Sequence, residues 1–391
     1  MLIKNYFNVT KQNIVANNIG GAYSAITLLI AIPIYVKYLG IENYSFVAIF
    51  MIMSAWSVIM DFGLKSTLER KISLYKANDL SIKSAATLLR SIEIFTILIG
   101  VLFVFLMWLG FVWLAISQSS IFNLPIEEAK KIFILISIII SFRSCEAIYN
   151  RTLKALQKQV LLNIISLFGL TIQNLGSIFI LIFISPTLEA FFIWQTITSL
   201  ISLIAFGSAV YFSIPVRKEK ASFSWPDLFD SWNFTIGMLL ITFLGLLTSH
   251  IDKLLATKFF TSEFFSYYAL AFTITKILGM FSDSVSAAVY PRLIALSLNN
   301  NNDLKKFYHK SSQLISVVAG SLASILFIFS DEVVMVWTNN ATLQANIAPI
   351  LTIIVVGELA RTLSYIPNRL QISHKWLGLD IKMNIIILVL L

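Results

Sequence analysis

Residues 131–149 read KIFILISIIISFRSCEAIY, and Ser137 is the one polar residue in the run from 132 to 140. A helix needs about 20 mostly apolar residues to cross the hydrocarbon core of a bilayer. Lipid offers no hydrogen-bond partner to the backbone, so a crossing segment must be a helix or a strand of a closed barrel. Barrel strands alternate apolar and polar residues, and this run does not alternate. The stretch therefore predicts a transmembrane helix.

Nine further stretches have the same character, which gives ten predicted transmembrane helices. They lie near residues 14–36, 44–64, 89–114, 131–149, 160–184, 190–212, 233–256, 264–290, 312–329 and 345–365. A truncated eleventh begins at Met383 and extends only to Leu391, which is too short for a helix to span a membrane. We expect either that the chain is a cut-short fragment or that its end packs without crossing.

The composition agrees with this interpretation. Hydrophobic residues make up 58% of the chain and charged residues 13%, whereas soluble domains carry about 25% charged residues. The sequence therefore predicts an all-α polytopic membrane protein.

The Lys and Arg residues predict the orientation of the chain. Twenty of them lie in the amino-terminal segment and in every second loop after it, and five lie in the opposite loops. Because cytoplasmic loops carry the excess of Lys and Arg, we predict a multi-pass protein of the bacterial inner membrane with a cytoplasmic amino terminus. The net charge of +9 is explained by this bias, so we expect the lipid bilayer and no nucleic acid as a partner.

Several classes of chemistry have no signal in the sequence. Cys145 is the single cysteine, and the three histidines show no metal-ligand spacing. There is no P-loop, and neither a zinc-protease nor a serine-hydrolase motif occurs. The longest predicted cytoplasmic loops, 65–84, 213–231 and 295–310, are too short to hold a catalytic domain. We therefore predict no enzyme, no catalytic residue, no metal and no cofactor, and place the site within the helices or at their ends.

The basic loop at 213–231 is the predicted boundary between two halves. It separates an amino-terminal six-helix bundle, 1–212, from a carboxy-terminal bundle, 232–391, that is incomplete. A weak internal repeat supports the division: with an offset of 221, Lys37 aligns with Lys258 and Glu42 with Glu263. A repeat of halves with even numbers of helices is parallel, a plan that transporters use.

Charged residues inside the predicted helices mark candidate sites. A charge at the bilayer centre costs at least ~2.5–3.5 kcal/mol on insertion scales, so it usually faces the interior of a bundle or a polar cavity. Arg143 and Glu146 are three apart and can pair, as can Glu358 and Arg361. These pairs either line a cavity or neutralise each other and hold helices together.

Lys276 differs from these pairs, since it is deep in its predicted helix and has no acidic residue one turn away. We therefore expect it to line a polar cavity, with Asp283 on the same face seven residues later. The amides Gln173 and Asn174 either extend that cavity or form hydrogen bonds between helices.

Three further residues are candidates for a moving part. Pro33 lies inside the first predicted helix, where proline removes a hydrogen bond and bends the helix; it is either a hinge or a fixed bend. Asp61 and Arg70 are at or beyond the cytoplasmic end of the second helix, where we expect a cytoplasmic gate. Asp61 could instead extend to the interface.

Six short motifs together resemble one known family. They are Asn-Ile-Gly at 18–20, IPIYVKYLGIENY at 32–44, MDFGL at 60–64 with Arg70, IDKLL at 251–255, SYYALA at 266–271 and VYPRL at 289–293. Their order and spacing resemble bacterial polysaccharide flippases of the Wzx type, in the multidrug/oligosaccharidyl-lipid/polysaccharide exporter superfamily. The likeness covers nearly the whole chain. Family members usually have twelve helices, and they often have Gly where this chain has Ser45.

The resemblance implies a MATE-like architecture of two bundles around a cavity. It also implies that an undecaprenyl-diphosphate-linked oligosaccharide, an O-antigen or capsule repeat unit, is flipped to the periplasmic leaflet by alternating access. We expect Arg143, Lys276 and Arg361 to attract the diphosphate, since Arg and Lys neutralise phosphate in a site of low dielectric. A glycan polymerase and a chain-length regulator are candidate partners.

Ion coupling has its own candidates. Burial disfavours the ionised form of a carboxylate, so Glu146, Asp252, Asp283 or Glu358 could carry a proton. Three alternatives remain: a MATE-type drug/cation antiporter, which would show an acidic cavity; an integral-membrane glycan polymerase, which would need a long periplasmic loop; and a channel or scaffold without a transport cycle.

Overall fold

The computed structural model describes residues 2–57, 60, 64–76, 82–116, 125–214, 223–226, 232–299, 301–374, 376, 379, 382, 383 and 386. Over these residues the regular structure is helical. The helices are α1 (Leu2–Leu39), α2 (Ile41–Trp56), α3 (Leu64–Lys76), α4 (Ile82–Ile116), α5 (Ile126–Ala155), α6 (Gln159–Phe183), α7 (Leu188–Ser213), α8 (Trp232–Phe259), α9 (Ser262–Asn299), α10 (Asn301–Ile328), α11 (Ser330–Thr338), α12 (Ala341–Leu363) and α13 (Tyr365–Ser373).

Seven candidate membrane spans are found within the described residues by length and composition. They are Ile19–Leu39, Lys83–Gly110, Ile126–Ala155, Gln159–Phe183, Leu188–Ser213, Asn302–Ile328 and Ala341–Gln371. Each overlaps one of the ten predicted crossings, so the chain is an all-α multi-pass membrane protein, as predicted.

The number ten is not established. The crossing predicted at 44–64 coincides with α2, which has 16 residues. The crossings predicted at 233–256 and 264–290 fall on α8 and α9, in which some side chains lie outside the description, so these two stay predictions. Most of the eleventh run also lies outside the described residues.

Two of the predicted cytoplasmic loops contain helix. α3 occupies most of the described part of 65–84, and α9 and α10 extend through 295–310 on either side of residue 300. In α3 the buried residues Leu64, Leu68 and Ile72 recur every four positions among polar ones. This spacing forms one apolar stripe on a helix, whereas the polar average of the segment suggested a loop.

A few residues determine where individual helices begin and end. Gly40 separates α1 from α2 with φ +83°, a conformation that glycine adopts without steric cost. Asn340 begins α12, and its side chain accepts hydrogen bonds from the N–H groups of Thr342 at 2.9 Å and Leu343 at 3.1 Å. α1 continues through Pro33.

Contacts divide the chain into two compact units, unit 1 from Met1 to Leu246 and unit 2 from Leu247 to Leu391. The core of unit 1 packs α3, α4, α5 and α7 around Leu68, Leu88, Leu89, Ile148 and Phe206, all of them buried. In unit 2, α9 packs against α10, α12 and α13. The predicted boundary at 213–231 stays a prediction, since most of that segment lies outside the described residues.

Candidate functional site

One face of α9 meets polar side chains of α8, α12 and α13. The residues of this α9 face are Tyr268, Phe272, Lys276, Gly279, Asp283, Ser286 and Tyr290. Their spacing of three or four places them in one row. From Tyr268 to Tyr290 the row rises by roughly 33 Å at 1.5 Å per residue, which is close to the thickness of a hydrocarbon core. The α9 face is therefore long enough to extend from one side of a membrane to the other.

The first end of the α9 face meets α8. The Tyr268 hydroxyl donates to Asp252 at 2.6 Å, and Asp252 also pairs with Lys253, whose Nζ lies 3.3 Å from a carboxylate oxygen. That Nζ lies 3.6 Å from the centre of the Phe272 ring. Asp252, a predicted coupling residue, is thus held by a phenol and an ammonium group.

Two of the three cations predicted to bind substrate, Lys276 of α9 and Arg361 of α12, lie at the middle of the α9 face. Glu358 of α12 accepts from Arg361 Nε at 2.9 Å and from Nη2 of the same guanidinium, so this pair forms as predicted. Glu358 is only 7% exposed, whereas Arg361 is 54% exposed. Lys276 is exposed and makes no hydrogen bond or ion pair within the part of the chain that the structure describes. The negative charge of the Glu358 carboxylate interacts electrostatically with the Lys276 ammonium group.

Gly279 brings α9 close to this pair. A Cβ built at Gly279 would lie 3.2 Å from Arg361 Nη2, 3.4 Å from Glu358 Oε1 and 3.5 Å from the Tyr365 hydroxyl. The absence of a side chain at this position leaves room for the charged groups of α12 against the α9 backbone.

The second end of the α9 face meets α13. Asp283 is exposed and interacts with Tyr365, Arg361 and Arg369. Arg369 Nε donates to the Ser286 hydroxyl at 2.8 Å, and its guanidinium lies 5.5 Å from the centre of the Tyr290 ring. Arg369 was counted among the loop cations in the sequence and was not proposed for the site. Its contact with Ser286, 83 residues away, could not be found from spacing.

The predicted site residues of unit 1 have a different environment. Gln173 donates to Gln195, and Gln195 donates to Ser177 at 3.0 Å. The buried Asn174 accepts from the Tyr35 hydroxyl at 3.1 Å. These amides therefore form hydrogen bonds that join α6 to α7 and α1, one of the two roles expected of them.

Arg143 and Glu146 share a helix face but have separate neighbours. The Arg143 guanidinium lies 4.9 Å from the centre of the Phe50 ring, a cation–π distance. Glu146 accepts from Asn150 Nδ2 at 3.3 Å. Among the residues described, no ion pair within 4 Å joins the two side chains, so their spacing permits a pair without producing one.

A buried carboxylate of unit 1 was missed in the sequence. Glu93 of α4 is 4% exposed, and its two oxygens accept from the Tyr211 hydroxyl at 2.9 and 2.7 Å. Arg90 Nη1 donates to it at 3.2 Å. Lys65, assigned to a loop, is also buried, with its Nζ 3.4 Å from the Ser144 hydroxyl.

The remaining predicted residues are only partly described. Asp61 lies outside the described residues, and Arg70 lies in α3 with its side chain outside the description. The gate at Asp61 and Arg70 therefore stays a prediction. Pro33 lies within the continuous helix α1, and its role as a hinge also stays a prediction. The described residues contain no group of three or more His, Cys, Asp or Glu that could hold a metal ion.

The fold is that of the MATE transporters. An inward-facing structure of a multidrug resistance MATE family transporter of the MOP superfamily has a TM-score of 0.68 and 14% identity, with 90% of this chain and 82% of that one covered. An outward-facing structure of the same description has a TM-score of 0.64 and 15% identity, covering 97% and 85%. A eukaryotic MATE transporter has a TM-score of 0.61 and 13% identity, covering 94% and 85%.

The chain belongs to the family described as "Polysaccharide biosynthesis protein", whose profile matches residues 36–341. It is similar to a protein of Shigella flexneri named "Putative O-antigen transporter", with 22% identity over 364 residues, 91% of this chain and 84% of that relative. The resemblance predicted from the sequence is therefore confirmed for the family and the fold.

Proposed function

We propose that this protein transfers a lipid-linked oligosaccharide of the O-antigen or capsule type from the cytoplasmic to the periplasmic leaflet of the bacterial inner membrane. The observation that carries the proposal is the middle of the α9 face. There the cations Lys276 and Arg361 are exposed while their carboxylate neighbour Glu358 is buried. The membership of the polysaccharide biosynthesis family and the name of the Shigella flexneri relative support the substrate class.

The chemistry of these two cations suits a diphosphate. Arg presents a planar set of donors that can bind two phosphate oxygens at once, and Lys supplies a mobile point charge. Charge-assisted hydrogen bonds of this kind are roughly twice as strong as neutral ones. In our proposal the diphosphate of the carrier lipid binds Lys276 and Arg361, with Arg143 as a third attracting charge, and the sugars follow the headgroup.

The transport cycle we propose is alternating access coupled to an ion gradient. Asp252, Asp283 and Glu358 are the candidate proton carriers on or beside the α9 face, and Glu146 is the candidate in unit 1. MATE proteins of this fold have been solved in inward-facing and outward-facing forms. The remaining elements of the proposal are a cytoplasmic amino terminus and association with a glycan polymerase and a chain-length regulator.

The test is Lys276→Ala in a bacterial strain whose surface glycan depends on this gene. We expect surface glycan to be lost while the protein remains in the membrane, because the exposed mid-helix cation is removed. Lys276→Arg should keep part of the export, since it retains the charge. The measurements are surface glycan by immunoblot and protein level in the membrane fraction.

Lys305→Ala is the matched control, because Lys305 is an exposed lysine in the polar first turn of α10. Normal surface glycan in Lys276→Ala would remove Lys276 from the site. A drug/cation antiporter would be indicated instead if deletion of the gene left the glycan intact and made cells sensitive to cationic dyes.

A further inference from the structure

An apolar groove lies in unit 1. It has a volume of about 700 Å³ and is bounded by α4, α5 and α7. Its walls include Ile97, Val101, Phe105 and Trp108 of α4, Phe142 of α5 and Leu203 of α7. This volume is in the range of pockets that hold small ligands. The α4 wall is exposed, with Ile97 54% and Val101 65% accessible, so the groove opens at the surface of two candidate membrane spans.

Small residues bring the two main walls together. The Ser141 hydroxyl of α5 donates to the Gly100 carbonyl of α4 at 3.1 Å, and a Cβ at Gly100 would lie 3.1 Å from Ser141 Cβ. Because the helices touch here and the larger side chains of α4 are on the open side, a groove remains along the exposed surface. Its apolar lining fits a hydrocarbon chain.

Two basic residues continue the α4 wall of the groove. Lys83, Arg90 and Ile97 are seven residues apart, which is close to two helical turns, so they share one face of α4. Arg90 precedes the first lining residue, Ile97, by about 10 Å along the helix axis. Lys83 and Arg90 are both exposed, and they lie at the end of α4 that the positive-inside rule assigns to the cytoplasm.

Arg90 is held in place by the groups beneath it. Its Nη1 donates to the buried Glu93, which is fixed in turn by the Tyr211 hydroxyl. A guanidinium has five N–H donors, so Arg90 has donors left for another ligand. A cation at the end of an apolar groove on the same helix face is complementary to an amphiphile with one anionic end.

We propose that this surface of unit 1 is a binding site for an anionic phospholipid of the cytoplasmic leaflet, with one acyl chain in the groove and the phosphate at Arg90 and Lys83. Basic clusters at the cytoplasmic ends of membrane helices attract anionic headgroups, at about 1 kcal/mol for each Lys or Arg. The groove adds contact along the acyl chain, which electrostatic attraction to a basic surface alone does not provide. The site would serve to anchor unit 1 and does not depend on the transported substrate.

The test uses quenching of Trp108 fluorescence by lipids brominated on the acyl chain. The full chain is reconstituted in phosphatidylcholine vesicles, and increasing fractions of brominated phosphatidylglycerol or brominated phosphatidylcholine are added. The Trp108 signal is obtained by difference from Trp108→Phe. We expect phosphatidylglycerol to quench Trp108 at a several-fold lower fraction than phosphatidylcholine does. Equal quenching by the two lipids would overturn the proposal, because it would mean ordinary solvation by bulk lipid.

Substitutions of the basic residues test the contact with the lipid headgroup separately from the contact with the acyl chain. Arg90→Gln should lower the preference for phosphatidylglycerol about fivefold, and Lys83→Gln should lower it without disturbing Glu93. The matched control Arg151→Gln removes another exposed arginine, paired with Glu69, and should leave the preference unchanged. An unchanged preference in both Arg90→Gln and Lys83→Gln would also overturn the proposal.

The groove is tested by filling it. Val104 lines the groove, so Val104→Phe should weaken the quenching of Trp108 by brominated phosphatidylglycerol several-fold. Leu102→Phe adds a ring on the exposed side of α4, outside the groove, and should have no effect. Equal loss in both variants, or in neither, would contradict a chain bound in the groove.

Discussion

The two units differ in the environment of their polar side chains. In unit 1 two buried polar side chains are paired: Asn174 accepts from Tyr35 of α1, and Glu93 accepts from Tyr211 of α7 and from Arg90 of its own helix. In unit 2 the corresponding charges lie along the α9 face, where Lys276 and Asp283 are exposed.

The difference distinguishes polar side chains that stabilise the fold from polar side chains that are available to bind a ligand. A polar group inside a membrane protein must be paired with a neighbouring helix or must face water. Paired groups hold helices together by modest energies, whereas exposed charges remain available to a ligand. Substitutions of these paired groups of unit 1 should therefore mainly change stability, and substitutions on the α9 face should mainly change export.

The largest effect on stability is expected from Glu93→Ala. Removal of the carboxylate leaves the Tyr211 hydroxyl without its acceptor and Arg90 without its counter-ion. A hydrogen bond to a charged group contributes ~1.5–3 kcal/mol, and because Arg90 is half-exposed and stays solvated, we expect a loss of ~2 kcal/mol. The measurement is thermal unfolding of the purified protein in detergent.

Glu127→Ala is the control for that variant. Glu127 is 79% exposed and pairs with Lys130 at 3.9 Å, and exposed pairs contribute ~0–1 kcal/mol. An equal loss of stability in the two variants would show that the buried Glu93 contributes no more to the free energy of unfolding than an exposed glutamate does.

A smaller effect on stability, with a clear effect on export, is expected from Gly279→Ala. The new Cβ would displace Arg361 Nη2 by a few tenths of an ångström and would touch Glu358 Oε1 at an ordinary contact distance. Because both are flexible side-chain ends, we expect the stability loss to stay near ~1 kcal/mol, the low end for overpacking. Export of surface glycan should fall several-fold. The two measurements are unfolding temperature and glycan immunoblot.

Gly357→Ala is the matched control for Gly279→Ala, because a Cβ at Gly357 has no atom within 4 Å. It lies in α12, the same helix as Glu358 and Arg361, and should leave export unchanged. Normal export in Gly279→Ala would show that the geometry of the Glu358–Arg361 pair is not needed.

Apolar length was sufficient to predict the seven candidate spans found within the described residues. The crossings predicted at 160–184 and 190–212 agree with α6 and α7 within two residues at each end, because the backbone in lipid must satisfy its own hydrogen bonds. Spacing within one helix also predicted the Glu358–Arg361 pair.

Contacts between distant helices were not predictable in the same way. Glu93 lies inside an apolar run, and its partner Tyr211 is 118 residues away. One signal was present, since Arg90 and Glu93 have the same three-residue spacing as Glu358 and Arg361. That spacing is ambiguous, however, because Arg143 and Glu146 share it and do not pair directly. Lys65 was placed in a loop because hydropathy averages do not show which side of α3 is buried.

The smallest effect is expected where unit 1 uses a neutral hydrogen bond. Asn174→Ala removes the nearer of two acceptors of the Tyr35 hydroxyl and leaves the backbone carbonyl at 3.5 Å, and interhelical hydrogen bonds in membranes average ~0.6 kcal/mol. We expect a loss of stability near that value, with export retained. A double-mutant cycle with Tyr35→Phe isolates the bond, and Leu175→Ala, at an exposed neighbour, is the control. Lost export in a stable Asn174→Ala protein would place Asn174 among the substrate-binding residues and remove the contrast between the two units.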